Sequence, residues 1–134
     1  MSTTSRLSGA LIGVALILVL GGCTPSGSSD AAADVAAQFV DAISRHDGGQ
    51  ACDLLTANAR SSASGATDTP CAQAVLNVKE NGIDVQAVQI WGDRAQVKVG
   101  TDVLFLAHYD SGWRVNDAGC KPQPDAAYQC DVGG

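Results

Sequence analysis

Five cysteines are the residues of this chain whose chemistry is best defined by their type and spacing. An odd number of thiols in an exported protein leaves one cysteine with a separate fate. With Cys23 set apart, four thiols remain at positions 52, 71, 120 and 130, and they can form two disulfides in three different pairings. We predict the pairs Cys52–Cys71 and Cys120–Cys130, because each closes a short loop around Gly, Ser, Pro and Asp.

A metal site is the alternative for these four cysteines, and the spacing argues against it. No two of them form a C-x-x-C pair, and His46 and His108 lie far from zinc-finger spacing. The chain also lacks the G-x-S-x-G, P-loop, G-x-G-x-x-G and H-E-x-x-H motifs. We therefore predict no catalytic, cofactor-binding or metal-ligating residue.

The sequence around Cys23 indicates attachment of lipid. An apolar run at residues 11–20 follows Arg6; it is too short for a membrane span of ~20 residues and has the length of a signal-peptide core. Leu20-Gly21-Gly22-Cys23 resembles the bacterial lipobox, whose cysteine is acylated before cleavage. The alternative is an ordinary signal peptide with a leftover thiol. We predict a lipoprotein signal peptide at 1–22, a lipidated flexible tether at 23–30 and a single α+β domain at 31–134.

The charge of the chain limits its partners. The formal net charge of −6 becomes −7 when residues 1–22 are removed, because Arg6 is lost with them. An acidic surface repels phosphate backbones and anionic lipid headgroups, so we expect no nucleic-acid partner and no polybasic docking to membranes. The predicted contact with the membrane is through acyl chains on Cys23, which places the protein outside the cytoplasm on the bacterial cell membrane.

The secondary-structure elements that must position the four cysteines of the domain begin with predicted helices. Apolar residues recur at helical spacing over 31–45, and His46-Asp47-Gly48-Gly49 ends that helix. A second helix is predicted from Asp47 through Ala59. A third has Thr69 as its N-cap, Pro70 at its first position and Gly82 after its end.

From residue 83 the apolar period changes from 3.6 to 2, which predicts strands. The first strand slips phase at Ala87/Val88, which suggests a bulge, and Gly92-Asp93 predicts a two-residue hairpin turn. The pattern continues through a strand at 94–99, a strand at 103–109 and a last strand beginning at Trp113. The predicted fold class is α+β, with three N-terminal helices packed on a curved four-stranded antiparallel sheet and two disulfides.

This order of elements is similar to the nuclear transport factor 2-like (cystatin-like) superfamily, in particular to small lipoproteins of actinobacterial type. The resemblance covers about residues 31–118 and rests on the three helices, the Gly92-Asp93 hairpin and the closing strand Gly112-Trp113-Arg114-Val115. It implies a conical apolar pocket between sheet and helices, which some members use for isomerase or dehydratase reactions. Beyond residue 118, the Cys120–Cys130 segment is expected to form a disulfide-closed tail that covers one end of the sheet.

Tyr109 and His108 are the candidate residues for that pocket. They are adjacent in one strand, so only one of them can point into it. If the strand buries Val103, Phe105 and Ala107, the residue is Tyr109; the opposite phase selects His108. No carboxylate is identified on the same surface, because Asp84 and Asp102 lie at strand ends.

Two functions remain open. The favoured one is a non-catalytic binding domain, anchored by lipid outside the cytoplasm, that holds an envelope protein or an apolar small molecule. The alternative is a small isomerase- or dehydratase-like enzyme that uses the conical pocket; the missing acid–base pair argues against it. The sequence does not determine the oligomeric state.

Overall fold

The computed structural model describes residues 26–65, 68–125 and 127–133, which form an α+β fold with one antiparallel sheet. Its helical elements are α1 (Ser26–Ser44), α2 (Gly48–Asp53), α3 (Ala57–Ser64), α4 (Cys71–Ala74) and a 3-10 turn (Val75–Asn77). Its strands are β1 (Val85–Trp91), β2 (Arg94–Val99), β3 (Asp102–Tyr109) and β4 (Gly112–Cys120), ordered β1-β2-β3-β4. Among these residues, none of the helices has the length and apolar content of a membrane span.

Helix α1 begins at Ser26, five residues before the start predicted at residue 31. Residues 26–30, assigned above to the tether, are therefore helical, and residues 1–25 lie outside the described part of the chain. The helix buries the apolar face that its spacing predicted, including Phe39 and Val40. It ends at Ser44, and the positive φ of 58° at His46 allows the amide of Asp47 to donate to the carbonyl of Ala42 at 2.8 Å.

The prediction of three N-terminal helices was wrong, because the second predicted helix is divided into α2 and α3. Between them, the backbone of residues 54–56 leaves the helix and pairs with the edge of β4. The Thr56 amide donates to the Val115 carbonyl at 2.9 Å, and the Val115 amide donates to the Leu54 carbonyl at 2.8 Å. Thr56 then starts α3, since its hydroxyl accepts a hydrogen bond from the Ala59 amide. The third predicted helix is shortened to α4 and the 3-10 turn, with Pro70 as its N-cap.

The sheet is the four-stranded antiparallel meander that the alternation predicted. Trp91 pairs with Arg94 across the Gly92-Asp93 turn, as expected. The irregularity in β1 lies between Val85 and Ala87, slightly before the predicted position. After β4 the tail doubles back along the sheet, where Ala118 pairs with Val132 and Lys121 pairs with Gln129 in antiparallel bridges.

Both predicted disulfides are confirmed. Cys52 of α2 is bonded to Cys71 of α4, and these two helices approach so closely that a Cβ at Gly48 would overlap the backbone of Ala72. Cys120 at the end of β4 is bonded to Cys130 in the tail. One bond therefore holds the helical layer together, and the other attaches the tail to the sheet.

Candidate functional site

The two faces of β3 differ in what they contact. Leu104 and Leu106 are buried in the core that the sheet forms with the helices, and His108 shares their face. Tyr109 lies on the opposite, outer face. Of the two alternatives left by the sequence, the helix-facing residue is thus His108.

His108 lies at the edge of a packed core. Its ring meets that of Trp113 edge to face, with the centroids 4.9 Å apart and the planes at 62°. The space between sheet and helices behind this pair, where the conical pocket was expected, is occupied by fully buried apolar side chains, among them Phe39, Leu55, Leu104, Val97 and Val115.

Tyr109 lines a hollow of about 310 Å³ on the outer face of the sheet, which we call the aromatic groove. Three aromatic side chains and a ring of polar ones surround it, together with Ala95 and Leu106. The polar and aromatic residues are Asn58, Trp91, Arg94, Phe105, Tyr109, Asn116 and Asp117. The Trp91 and Tyr109 side chains are 54% and 49% exposed, so their rings are open to a ligand.

Pairing of β1, β2 and β3 places the residues of the aromatic groove next to one another. The tight hairpin places Trp91 directly opposite Arg94, and Arg94 pairs in turn with Ala107 of β3. Phe105 and Tyr109 are each two residues from Ala107 and project from the same face.

A β-bulge in β4 supplies the polar wall. Leu106 pairs with Val115 but Phe105 pairs with Asp117, so Asn116 is an extra residue in the strand. The Asn116 side chain accepts a hydrogen bond from the Thr56 hydroxyl at 3.1 Å and donates one to Asp117 Oδ2 at 2.9 Å. The start of α3 thereby holds both polar side chains in place.

The tail extends the aromatic groove with a second hollow of about 300 Å³, which shares Phe105 and Asp117 with the first. Tyr128 meets Phe105 edge to face, with centroids 5.1 Å apart, and its hydroxyl accepts a hydrogen bond from Gln96 at 3.3 Å. The Cys120–Cys130 disulfide holds this segment against the sheet.

A second polar cluster lies at the start of β3. Asp102 is completely buried, and its Oδ2 accepts hydrogen bonds from the backbone amide and the side-chain amide of Asn81 at 2.9 and 3.1 Å. Glu80 Oε1 accepts one from the Gly119 amide at 3.1 Å. The second oxygens, Glu80 Oε2 and Asp102 Oδ1, are buried and have no hydrogen-bond partner within the described residues.

Burial is the main reason that the pKa of Glu80 rises from 4.5 to about 7. The hydrogen bond from Gly119 opposes the rise, the negative charges of Asp102 and Asp131 add to it, and Lys121 opposes it. This cluster can therefore hold a proton near neutral pH.

Sequence reasoning proposed Tyr109 and His108 as pocket residues, and of these two only Tyr109 lines the aromatic groove. It did not identify Arg94, Phe105 or Asp117, although Trp91 and Arg94 occupy the exposed phase of a hairpin whose register was predicted. Comparison of the chain with protein-family models, curated proteins and solved structures finds no match. The aromatic groove is therefore the candidate functional site.

Proposed function

We propose that this protein is a lipid-anchored, extracytoplasmic binding domain that holds a component of the cell envelope in the aromatic groove without catalysing a reaction. The observation that supports a binding role is the groove, where half-exposed aromatic rings surround a hollow lined by hydrogen-bonding side chains. Concave sites with aromatic walls and a few fixed polar groups are typical ligand sites. The enzyme alternative used a pocket on the helix side, where side chains fill the described core.

Membership of the nuclear transport factor 2-like superfamily is part of this proposal. The helices that precede a four-stranded antiparallel meander support it, as does the Gly92-Asp93 hairpin. The proposed site differs from the pocket that the resemblance implied, because it lies on the opposite face of the sheet.

The proposed anchor is the acylated thiol of Cys23. Two disulfides are compatible with an oxidising compartment. Since α1 begins at Ser26, two residues separate the start of this helix from the acylated position, and the three steps from Cys23 to Ser26 span at most about 10 Å. The domain would therefore remain next to the membrane.

Replacing Cys23 with alanine is expected to release the protein from the membrane or to leave it unprocessed. Acyl chains contribute about 0.8 kcal/mol per buried CH₂, and this variant has no thiol to carry them. Membrane fractionation and intact-mass measurement of the full chain in its host check the prediction. The fractionation of Cys52→Ala/Cys71→Ala serves as a control for loss of thiols elsewhere. Membrane retention of Cys23→Ala with the normal mature mass would contradict lipidation at this residue.

Binding at the aromatic groove is tested by photocrosslinking in the intact envelope. A benzophenone amino acid replaces Tyr109 in the full-length protein, and irradiated cells are analysed for adducts of that position. We expect an adduct of defined mass, because a ligand in the groove contacts this half-exposed ring. The same amino acid at Ile83, an exposed position that does not line the groove, should give none. Equal labelling at both positions, or no adduct at either, would exclude a bound envelope component there.

A further inference from the structure

We propose that the ligand of the aromatic groove is a segment of a neutral polysaccharide of the cell envelope. This inference rests on the binding function proposed above and specifies its ligand class. It follows from the kinds of side chain that share the groove, from their exposure and from the charge of the domain.

The aromatic rings are arranged as separate platforms around a hollow. Trp91 comes from β1, Phe105 and Tyr109 come from β3, and Tyr128 of the tail continues the row past Phe105. A sugar ring presents a face of C–H groups that packs on an aromatic ring, and its hydroxyls point outward around that face. Platforms spaced along a groove therefore fit successive sugars of a chain.

The polar groups lie where those hydroxyls would be. Asp117 and Asn116 form one wall and are held by a hydrogen bond between their side chains, with Asn58 beside them. Arg94 lies on the other side, beside Trp91. Carboxylate, amide and guanidinium groups together accept and donate hydrogen bonds, as a ligand with many hydroxyls requires.

The same arrangement disfavours a protein partner or an apolar molecule. Carboxylates are depleted in protein interfaces, whereas here Asp117 lies among the rings. An apolar ligand would displace water from the charged groups of Arg94 and Asp117 and offer no hydrogen bond in its place.

The charge of the domain disfavours an anionic polymer. With a net charge of −7 after removal of residues 1–22, the domain repels polyanions. Arg94 is also partly neutralised by Asp93, whose carboxylate lies 3.8 Å from it. An uncharged polysaccharide avoids this repulsion and can use both the aromatic rings and the polar groups.

Fluorescence gives a direct test, because Trp91 lies in the groove and Trp113 is buried on the opposite face. The probe is a set of neutral oligosaccharides released from the host's own cell wall by mild acid and separated from protein. Titrated into the full mature protein in mild detergent, they should shift the emission of Trp91 to shorter wavelength and saturate. Trp91→Phe, which keeps an aromatic platform, should lose this signal and retain binding by calorimetry.

Two groove variants and one control define the site. Tyr109→Ala and the isosteric Asp117→Asn should each weaken binding roughly tenfold or more, since truncating a central aromatic or charged contact commonly has an effect of this size. Ile83→Ser, outside the groove, should bind as the original protein does. A circular dichroism spectrum of each variant establishes that it is folded.

The outcomes separate the ligand class from the binding function. If the crosslink at position 109 forms but its adduct is a protein, and the oligosaccharides give no saturable shift, the polysaccharide proposal is wrong and the binding function stands. If that adduct is a second copy of this chain, the groove is a dimer interface and the proposal is likewise wrong. If neither crosslinking nor titration detects a ligand, both proposals fail.

Discussion

Replacing Glu80 with glutamine is expected to raise the free energy of unfolding at pH 8 by about 2 kcal/mol and to leave it nearly unchanged at pH 4.5. Burial raises the pKa of this carboxyl to about 7 in the folded protein. The folded state therefore binds the proton more tightly than the unfolded state does. The resulting stabilisation is complete below pH 4.5 and is lost as the pH rises through 7, where the native protein must bury a charge; glutamine stays neutral throughout.

Urea denaturation at pH 4.5, 6, 7 and 8 checks this prediction, with the difference between variant and original protein taken at each pH. That difference removes the contribution of groups common to both proteins, including His46 and His108. Asp84→Asn is the matched control, because Asp84 is exposed and only four residues away. Its difference should stay within about 0.5 kcal/mol at every pH. A Glu80→Gln difference that does not change with pH would show that the pKa of Glu80 is the same in the folded and unfolded protein, and would contradict this prediction.

Buried carboxyl oxygens of Glu80 and Asp102 that have no hydrogen-bond partner among the described residues explain the expected effect of Glu80→Gln on stability. Asp102 is fixed by two hydrogen bonds from Asn81, and its other oxygen is buried without a described partner, as is one oxygen of Glu80. Two ionised carboxyls in such surroundings repel each other, and neutralising one removes the repulsion. Glu80 also accepts a hydrogen bond from the Gly119 amide at the end of β4, and this bond links loop 78–82 to the sheet.

The parts of the fold predictable from sequence were those set by local pattern. The alternation in residues 85–109 gave the strands, and loop length with cysteine parity gave both disulfides. The division between α2 and α3 was not predictable in this way. It depends on the pairing of residue 55 with residue 115, a contact between segments sixty residues apart along the chain.

The candidate site was only partly predictable for the same reason. Tyr109 was named together with His108 because the resemblance implied a pocket and the two residues are adjacent in one strand, but which of them faces the helices depended on the register between β2 and β3. Asp117 reaches the groove through a bulge that the spacing of β4 alone does not reveal. Glu80 and Asp102 are 22 positions apart, and their shared burial arises from tertiary packing.

Removing each disulfide in turn should show that the Cys52–Cys71 bond stabilises the helices and that the Cys120–Cys130 bond orders the tail beside the aromatic groove. Cys52→Ala/Cys71→Ala is expected to lower the free energy of unfolding by about 3 kcal/mol, because the bond closes a loop with a sequence separation of 19. The Cys120–Cys130 bond closes a sequence separation of only 10. Cys120→Ala/Cys130→Ala should therefore lower the free energy of unfolding slightly less, also by about 3 kcal/mol. Urea denaturation of the two double variants gives these values.

The two variants should differ much more in the tail than in global stability. Lys121 and Gln129 exchange backbone hydrogen bonds of 2.8 and 3.0 Å, and Tyr128 contacts Phe105 next to them. Without the Cys120–Cys130 bond this short segment is held by few contacts, so the two amides should exchange with solvent roughly tenfold faster or more. In Cys52→Ala/Cys71→Ala their exchange by local opening should be unchanged. Equal protection of both amides in the two variants would mean that packing of Tyr128, rather than the disulfide, fixes this end of the aromatic groove.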